Sequence, residues 1–143
     1  MPDERQLWMG LGCRRGASVT LFDDAINATC ERFGVDVTAI AGAATLDVKQ
    51  TEAGLLEFCA TRGWPLIFFT RTELQTCAAP HPSTAVEAAI GVSSVCEAAA
   101  LRAAAQTHPD ALCSILVPKQ ILRRAVESGV VTMAIAQTRS VRR

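Results

Sequence analysis

A glycine-rich turn between an apolar run and a helical pattern is the feature that most constrains the fold of this chain. The apolar run covers residues 7–12, and it has the length and composition of a strand buried on both faces. Apolar side chains then recur at helical spacing over residues 21–33. Residues 10–18 therefore predict a turn that leads from a buried strand into a helix.

The composition of this turn also indicates a chemistry. Its three glycines, Gly10, Gly12 and Gly16, permit positive φ and let a ligand approach the main chain. The first turn of the following helix offers unpaired N–H groups to an anion, and Arg14 and Arg15 add fixed positive charge beside them. The sequence therefore predicts an anion-binding turn, while a purely structural turn with solvated arginines fits the same pattern.

Length, charge and hydropathy exclude several classes of protein. The chain has 143 residues, 50% of them hydrophobic, which is enough for one domain with a substantial core. Its 14 Lys and Arg balance its 14 Asp and Glu, so we expect no nucleic-acid partner. No apolar run reaches the roughly 20 residues that a membrane-spanning helix needs, and residues 1–5 lack the pattern of a signal peptide. We therefore expect no membrane partner and a cytoplasmic location.

The cysteine pattern argues against disulfides and structural metal. The sequence contains six cysteines, with no Cys-x-x-Cys pair and no histidine at metal-ligand spacing. We therefore predict no metal site and no cofactor. Cys13 is the cysteine within the glycine turn, where arginines and a helix N-terminus are expected to lower its pKa. It is a candidate nucleophile, although no histidine lies near it in the sequence.

Apolar runs alternate with helical patterns along the rest of the chain. Predicted strands cover residues 7–12, 35–40, 64–69, 112–117 and 130–136. Predicted helices cover residues 18–32, a segment ending at Gly63, and the alanine-rich residues 95–106, while 41–46 is a linker or short helical turn and 120–126 a short helix or loop. This order predicts a single α/β domain over residues 1–143, with three layers around a mainly parallel sheet of about five strands.

A second turn offers another set of main-chain donors. Gly91 and Ser94 precede the alanine-rich helix and fit a second anion-accepting turn. Ser94 and Glu97 also match a capping box, in which the Glu97 carboxylate bonds to the Ser94 N–H, and we favour this structural interpretation of Glu97. Residues 77–82, with two prolines, predict a loop that could cover a site.

Four motifs give the chain a resemblance to a known family. They are Gly10-x-Gly12-Cys13-Arg14-Arg15-Gly16, Asp47-x-Lys49-x-x-Glu52-x-Gly54-Leu55-Leu56, Gly91-x-x-Ser94-Val95-x-Glu97-Ala98-x-Ala100-Leu101, and a strand that ends in Lys119. In this order the chain resembles the CobE family of cobalamin biosynthesis, whose members are free-standing equivalents of the C-terminal domain of CbiG proteins. Residues 120–128 do not align with the family, so no role is assigned to Arg123 or Arg124.

The resemblance implies a role in corrin-ring synthesis, with a precorrin or corrinoid as ligand and other corrin-biosynthesis enzymes as further partners. Two-domain relatives open a ring-A lactone and release a two-carbon fragment in the anaerobic branch, and we expect no room in this chain for their N-terminal part. Two functions stay open: a carrier or accessory factor without catalysis, and a hydrolase that uses Cys13 or Glu97 on a ring substituent. We favour the carrier, because the sequence shows no convincing pair of nucleophile and base.

The residues of the motifs fit such a ligand. Corrin precursors carry several carboxylates around an apolar macrocycle, so a receptor needs spaced cations, helix N-termini and an apolar floor. In a parallel sheet, the loops that follow the strands would bring Arg14, Lys49 and Lys119 to one edge. The expected ligand-binding residues are Gly10, Gly12, Cys13, Arg14, Arg15, Gly16, Asp47, Lys49, Glu52, Gly91, Ser94, Glu97 and Lys119.

A dinucleotide-binding enzyme is the rival interpretation. The spacing Gly10-x-Gly12-x-x-x-Gly16 is close to the glycine fingerprint of such proteins. That fingerprint is normally completed by an acidic residue at the end of the second strand, which binds the ribose. With the second strand predicted to end at Ile40, the sequence there reads Ile40-Ala41-Gly42 and offers no acid.

Overall fold

The computed structural model describes residues 7–13, 16–76, 95–109, 111–123 and 129–140. Strands in these ranges are β1 (Leu7–Cys13), β2 (Ile40–Leu46), β3 (Leu66–Phe69), β4 (Ala111–Arg123) and β5 (Val130–Ser140). Helices are α1 (Val19–Phe33), α2 (Ala53–Arg62), α3 (Arg71–Thr76) and α4 (Val95–Thr107), and short 3-10 turns cover Val37–Ala39 and Asp47–Lys49.

The strands form one sheet in the order β3-β2-β1-β5-β4. β1 pairs in parallel with β2, and β2 with β3, whereas β5 pairs antiparallel with both β1 and β4. Four strands therefore run in one direction, and β5 runs in the opposite direction. The α/β class is confirmed, but the sheet is mixed rather than mainly parallel in its pairings. The reason is local: residues 124–129 are too few for the crossover that a parallel β4–β5 pair would need.

Helices α1 and α2 cover one face of the sheet. Their buried side chains meet Met9 and Leu11 of β1 and the inward face of β5 in one apolar cluster. Within it the rings of Phe22 and Phe58 stack with their centroids 5.3 Å apart, which joins α1 to α2. This is the first of the two helical layers that the sequence predicts.

Helices α3 and α4 cover the opposite face, and α4 lies unusually close to β1. A Cβ on Gly10 would overlap the main-chain oxygen of Cys96, so only glycine fits at this position of the strand. The buried face of α4 presents small side chains, namely Ala99, Ala100, Ala103 and Ala104. The two helical layers on a central sheet confirm the predicted three-layer arrangement.

The second strand lies further along the chain than the sequence indicates. Residues 37–39 form a 3-10 turn, because Asp36 accepts hydrogen bonds from both the main-chain N–H and the hydroxyl of Thr38. The strand then covers Ile40–Leu46, the segment predicted as a linker or helical turn. Its small residues are explained by packing, since a Cβ on Gly42 would lie 2.5 Å from the Trp8 ring.

The fourth strand is longer than predicted. The pattern indicates an end at Pro118, but β4 continues to Arg123, so residues 120–123 are strand and not helix or loop. β4 is an edge strand, where a proline without an N–H is tolerated. The pairing with β5 is irregular between Val117 and Gln120, which is how the ladder passes Pro118. Lys119 therefore lies within the strand rather than at its end.

The helix ends agree with their sequence signals. The Ser18 side chain caps α1 by accepting from the N–H of Leu21, and Gly34 ends this helix with a φ of 67°. Gly63 ends α2 in the same left-handed conformation. The predicted loop at 77–82 and the turn at 91–94 lie outside the described residues. No helix in the described part of the chain is long and apolar enough to cross a membrane.

Candidate functional site

The carboxyl ends of β1 and β2 bring the first two motifs together. Because these strands are parallel neighbours, Cys13 at the end of β1 and the 3-10 turn Asp47–Lys49 after β2 lie at the same edge of the sheet. The ammonium of Lys49 donates a hydrogen bond to the main-chain oxygen of Cys13 at 2.6 Å. The expected neighbourhood of Lys49 and the glycine turn is therefore present, with a main-chain oxygen as the partner of the ammonium.

Glu52 contacts the other end of the glycine turn. Its Oε1 accepts a hydrogen bond from the N–H of Gly16 at 3.0 Å. Gly16 has a φ of 85°, the left-handed conformation expected of a glycine in such a turn. The motif that supplies Lys49 and Glu52 thus bonds to the chain on both sides of residues 14–15.

Two further contacts fix the same edge. The buried hydroxyl of Thr45 donates to the main-chain oxygen of Leu11 at 2.7 Å, which ties β2 to β1 just before the turn. A Cβ on Gly54 would overlap the main-chain oxygen of Ala17, so the start of α2 lies directly against the chain entering α1. Thr45 is a residue that the sequence analysis missed, because a lone threonine in a strand carries no distinguishing signal.

Glu97 of α4 contacts Lys119 of β4. Glu97 lies in the first turn of α4, and its Oε2 accepts the main-chain N–H of Lys119 at 2.8 Å. This contact lies at the irregular part of β4, so the carboxylate replaces a partner that the ladder does not supply. The sequence analysis missed this pairing, because it placed Lys119 at the end of the strand or in the loop that follows it.

Thr132 is a further polar residue at this place. It pairs with Gly12 across the β1–β5 ladder, and a Cβ on Gly12 would lie 2.5 Å from the Thr132 hydroxyl oxygen. The Thr132 side chain also lies close enough to the thiol of Cys96 to lower its pKa, against the larger effect of burial. Nothing in the sequence singled out Thr132, which lies in the middle of an ordinary β-branched strand.

The thiols near the site favour their protonated forms. Burial raises the pKa of Cys13, the charge of Lys49 partly opposes this shift, and Glu52 adds to it. Burial also raises the pKa of Cys96 to about 12, and the Glu97 carboxylate contributes in the same direction. The predicted lowering of the Cys13 pKa is therefore wrong, because the loss of hydration outweighs the neighbouring cation.

Asp47 changes the argument about dinucleotide binding. It directly follows β2, so an acidic residue does stand at the end of the second strand, and the sequence-based objection was wrong. The sheet supplies a different objection. Dinucleotides bind where parallel strands diverge at a change of strand order, and β1 has the antiparallel β5 as its other neighbour.

Four of the expected site residues lie outside the described residues: Arg14, Arg15, Gly91 and Ser94. Their predicted roles stay predictions, and so does the capping-box interpretation of Glu97. Among the residues with described positions, no group of three or more His, Cys, Asp or Glu side chains could hold a metal ion.

Comparison with known proteins gives consistent similarities in sequence. The model of a family described as Cobalamin synthesis G C-terminus matches residues 7–136. A curated relative, the cobalt-precorrin-5A hydrolase of Priestia megaterium, is 30% identical over 95 residues, which make up 66% of this chain. That match covers 25% of the relative, so the chain spans about a quarter of the relative's length.

Solved structures show the same fold. The crystal structure of CobE, a protein from the cobalamin (vitamin B12) biosynthetic pathway, aligns with a TM-score of 0.74 and 26% identity, covering 97% of this chain and 96% of that one. The cobalamin biosynthesis protein chiG from Agrobacterium tumefaciens str. C58 aligns with a TM-score of 0.64 and 28% identity, covering 92% of this chain and 98% of that one. Both alignments extend over almost the whole domain.

Proposed function

The chain belongs to the cobalamin synthesis G C-terminus family, as its motifs predict, and from this premise we propose that it binds a precorrin or corrinoid intermediate of corrin-ring synthesis. The proposed role is that of a carrier or accessory factor in the cytoplasm. Such a carrier passes its ligand to another enzyme of corrin synthesis, and enzymes of that class are the proposed protein partners.

The arrangement at the end of β1 supports this proposal most directly. Lys49 and Glu52 hold the chain on both sides of residues 14–15. In this proposal the guanidinium groups of Arg14 and Arg15 bind peripheral carboxylates of the macrocycle. Fixing the residues that flank them in the chain lowers the entropic cost of binding a multiply charged ligand.

The candidate catalytic residues fit a binding role better than a hydrolytic one. Burial raises the pKa of the Cys13 thiol, and the Glu97 carboxylate accepts the main-chain N–H of Lys119. A thiol nucleophile needs a neighbouring base or a lowered pKa. His108 is the histidine among the described residues that could serve as a base. It follows the last turn of α4, at the opposite end of that helix from Glu97.

A hydrolase acting on a corrin-ring substituent is the second candidate. The observation that favours it is the similarity to a relative named cobalt-precorrin-5A hydrolase. This chain corresponds to about a quarter of that relative, so the activity need not reside in the shared part. In this alternative, Cys13 or Glu97 would act on the ring substituent.

A titration with purified corrin intermediates tests both candidates. We expect the visible absorption of one or more intermediates to shift on binding while their masses, analysed afterwards, stay unchanged. A changed mass would replace the carrier by the hydrolase. If the protein changes neither the absorption spectrum nor the mass of any intermediate, both candidates are contradicted.

A further inference from the structure

The edge strand β4 carries most of the exposed large apolar side chains. In the described part of the chain these are Val48, Leu56, Leu112, Leu116 and Ile121, and the last three belong to β4. β4 is also the outermost strand on its side of the sheet, so within the described ranges no strand pairs with its outer edge. An exposed apolar edge strand offers its unpaired main-chain groups to a further strand.

The first half of β4 has the properties of a pairing surface. Residues 111–117 contain neither a charged residue nor a proline, and their side chains alternate between the two faces of the sheet. Cys113 and Ile115 pack against the apolar cluster that includes α4. Leu112 and Leu116 point to the opposite face and are 61% and 39% exposed. Proline and charge, which usually protect a sheet edge, come only after this segment.

The regular part of this edge ends at Leu116. The register with β5 passes from Ile115 directly to Val117, so Leu116 is the extra residue of a bulge and the strand bends there. Pro118 follows and has no N–H to donate to a further strand. These two features limit regular pairing on the outer edge to residues 112–116.

The sequence of this segment is complementary to itself. When two copies pair antiparallel around Ser114, Leu112 of each copy lies opposite Leu116 of the other, and the two serines meet at the two-fold axis. On the other face, Cys113 lies opposite Ile115 in the same way. Charge does not oppose the pairing, since the segment is uncharged and the formal net charge of the chain is zero. A second copy of this chain therefore matches the edge in polarity at every paired position.

We propose that the chain forms a two-fold dimer in which residues 112–116 of β4 pair antiparallel with the same residues of a second copy, centred on Ser114. The pairing continues the sheet through the interface and covers Leu112 and Leu116 of both copies. It explains why a strand of this domain carries apolar side chains outside the core. The paired strands form a small contact, below the roughly 1,200 Å² of a standard interface, so we expect a dissociation constant on the order of 10–100 μM.

Sedimentation velocity over a concentration series measures the dimer. We expect the wild type to pass from monomer to dimer between about 1 μM and 1 mM. Leu116→Lys should weaken association about tenfold or more, because it places a charge opposite an apolar side chain at two positions of the interface. Leu56→Lys, at a leucine of α2 with the same 39% exposure, is the matched control and should associate like the wild type. A wild type that stays monomeric throughout, or a dimer that Leu116→Lys does not weaken, would overturn the proposal.

A compensating substitution tests the register. Adding Leu112→Glu to Leu116→Lys should restore most of the lost association, because the two substituted side chains lie opposite each other, with opposite charges, in a pairing centred on Ser114. A pairing centred on Cys113 would place residue 112 opposite residue 114 and give no such rescue. Melting temperatures show whether each variant is folded, and failure of a folded double variant to associate would overturn the register.

Cross-linking at the two-fold axis is independent of these charged variants. Ser114→Cys places thiols on two residues that directly oppose each other, with Cα atoms about 4.5–5.5 Å apart, which is within the range of a disulfide. Oxidation by copper phenanthroline should therefore join the two chains through residue 114. Thr61→Cys, at an exposed position of α2, is the control and should give little cross-linked product. No cross-link in Ser114→Cys, a cross-link through Cys113 instead, or equal cross-linking of Thr61→Cys would each overturn the proposed pairing.

Discussion

The carboxylate of Glu97 accepts the main-chain N–H of Lys119 at 2.8 Å, which joins the first turn of α4 to the edge strand β4. This contact falls where Pro118 interrupts the regular pairing of β4 with β5. A residue that the sequence presents as a helix cap or a catalytic acid therefore has a structural partner in another element.

Replacement of Glu97 separates these roles. Glu97→Ala leaves the partly buried N–H of Lys119 without its acceptor, and we expect the free energy of unfolding to fall by about 1–3 kcal/mol. Glu97→Gln keeps an acceptor oxygen and should melt close to the wild type. Equal melting temperatures for Glu97→Ala and wild type would contradict the structural role, and loss of ligand turnover in a folded Glu97→Gln would assign Glu97 to catalysis.

The two glycines of β1 should respond differently to substitution. The methyl group added by Gly10→Ala would overlap main-chain atoms of α4, which cannot move without the rest of the helix. We therefore expect urea unfolding to show a free energy of unfolding lower by about 1–3 kcal/mol or more. Gly12→Ala meets the hydroxyl of Thr132, so Thr132→Ala should relieve part of its cost in the double variant. Additive effects of Gly12→Ala and Thr132→Ala would show that the two side-chain positions do not compete.

Stability should fall as the pH rises above 9. Burial raises the pKa of Cys59 and of Cys96 from 9.0 to about 12. Between these values the unfolded chain loses thiol protons that the folded protein keeps, so the folded state binds more protons and the free energy of unfolding decreases with pH. Urea unfolding from pH 7 to pH 11 should show a flatter pH profile in Cys59→Ala and in Cys96→Ala. Profiles parallel to that of the wild type would contradict the raised pKa values.

Alkylation of Cys13 measures its pKa in the folded protein. Because burial raises that pKa, iodoacetamide should react slowly with Cys13 at pH 7 and faster above pH 9. Glu52 contributes to the raised pKa, so Glu52→Gln should speed the reaction at a given pH without changing the fold. Rapid labelling of the wild type at neutral pH would restore Cys13 as a candidate nucleophile.

Arg14 and Arg15 are predicted to serve binding more than stability. Replacing both with alanine should weaken corrinoid binding by about 1.5–3 kcal/mol for each charge-assisted hydrogen bond lost. The free energy of unfolding should change by less than about 1 kcal/mol, the usual limit for exposed charges. Arg71→Ala combined with Arg123→Ala removes the same charge from exposed positions elsewhere and is the matched control. Unchanged binding, or binding lost together with the fold, would assign Arg14 and Arg15 to the scaffold.

Local sequence signals predicted the elements whose limits are set locally. Ser18 and Gly34 bound α1 because a capping hydroxyl and a left-handed glycine act within one turn of the helix. The limits of β2 and β4 depend instead on distant partners. Residues 41–44 are small and form part of β2, because Trp8 and α4 pack against them and leave no space for larger side chains. Pro118 does not end β4, because that strand lies at the edge of the sheet.

The candidate site shows the same division. The family resemblance selected Lys49, Glu52, Glu97 and Lys119, and the fold brings Lys49 and Glu52 to the two ends of the glycine turn and Glu97 to Lys119. Their hydrogen-bond partners are main-chain groups, whose positions follow from turns and strand irregularities that side-chain patterns do not encode. Thr132 shows the limit of pattern-based reasoning, since its proximity to Gly12 and Cys96 arises from strand pairing alone.

The close packing of α4 on β1 has a consequence for how this domain can evolve. Gly10 lies against main-chain atoms of Cys96 and Ala100, which are present whatever side chains the helix carries, so the strand cannot gain a side chain there while the helix stays in place. A larger residue at position 10 has to be accompanied by a shift of the whole helix, which would also carry Glu97 away from Lys119. Sequences that descend from this chain should therefore keep glycine at position 10 wherever they keep the contact between Glu97 and Lys119, and diversity should accumulate on the outward face of the helix.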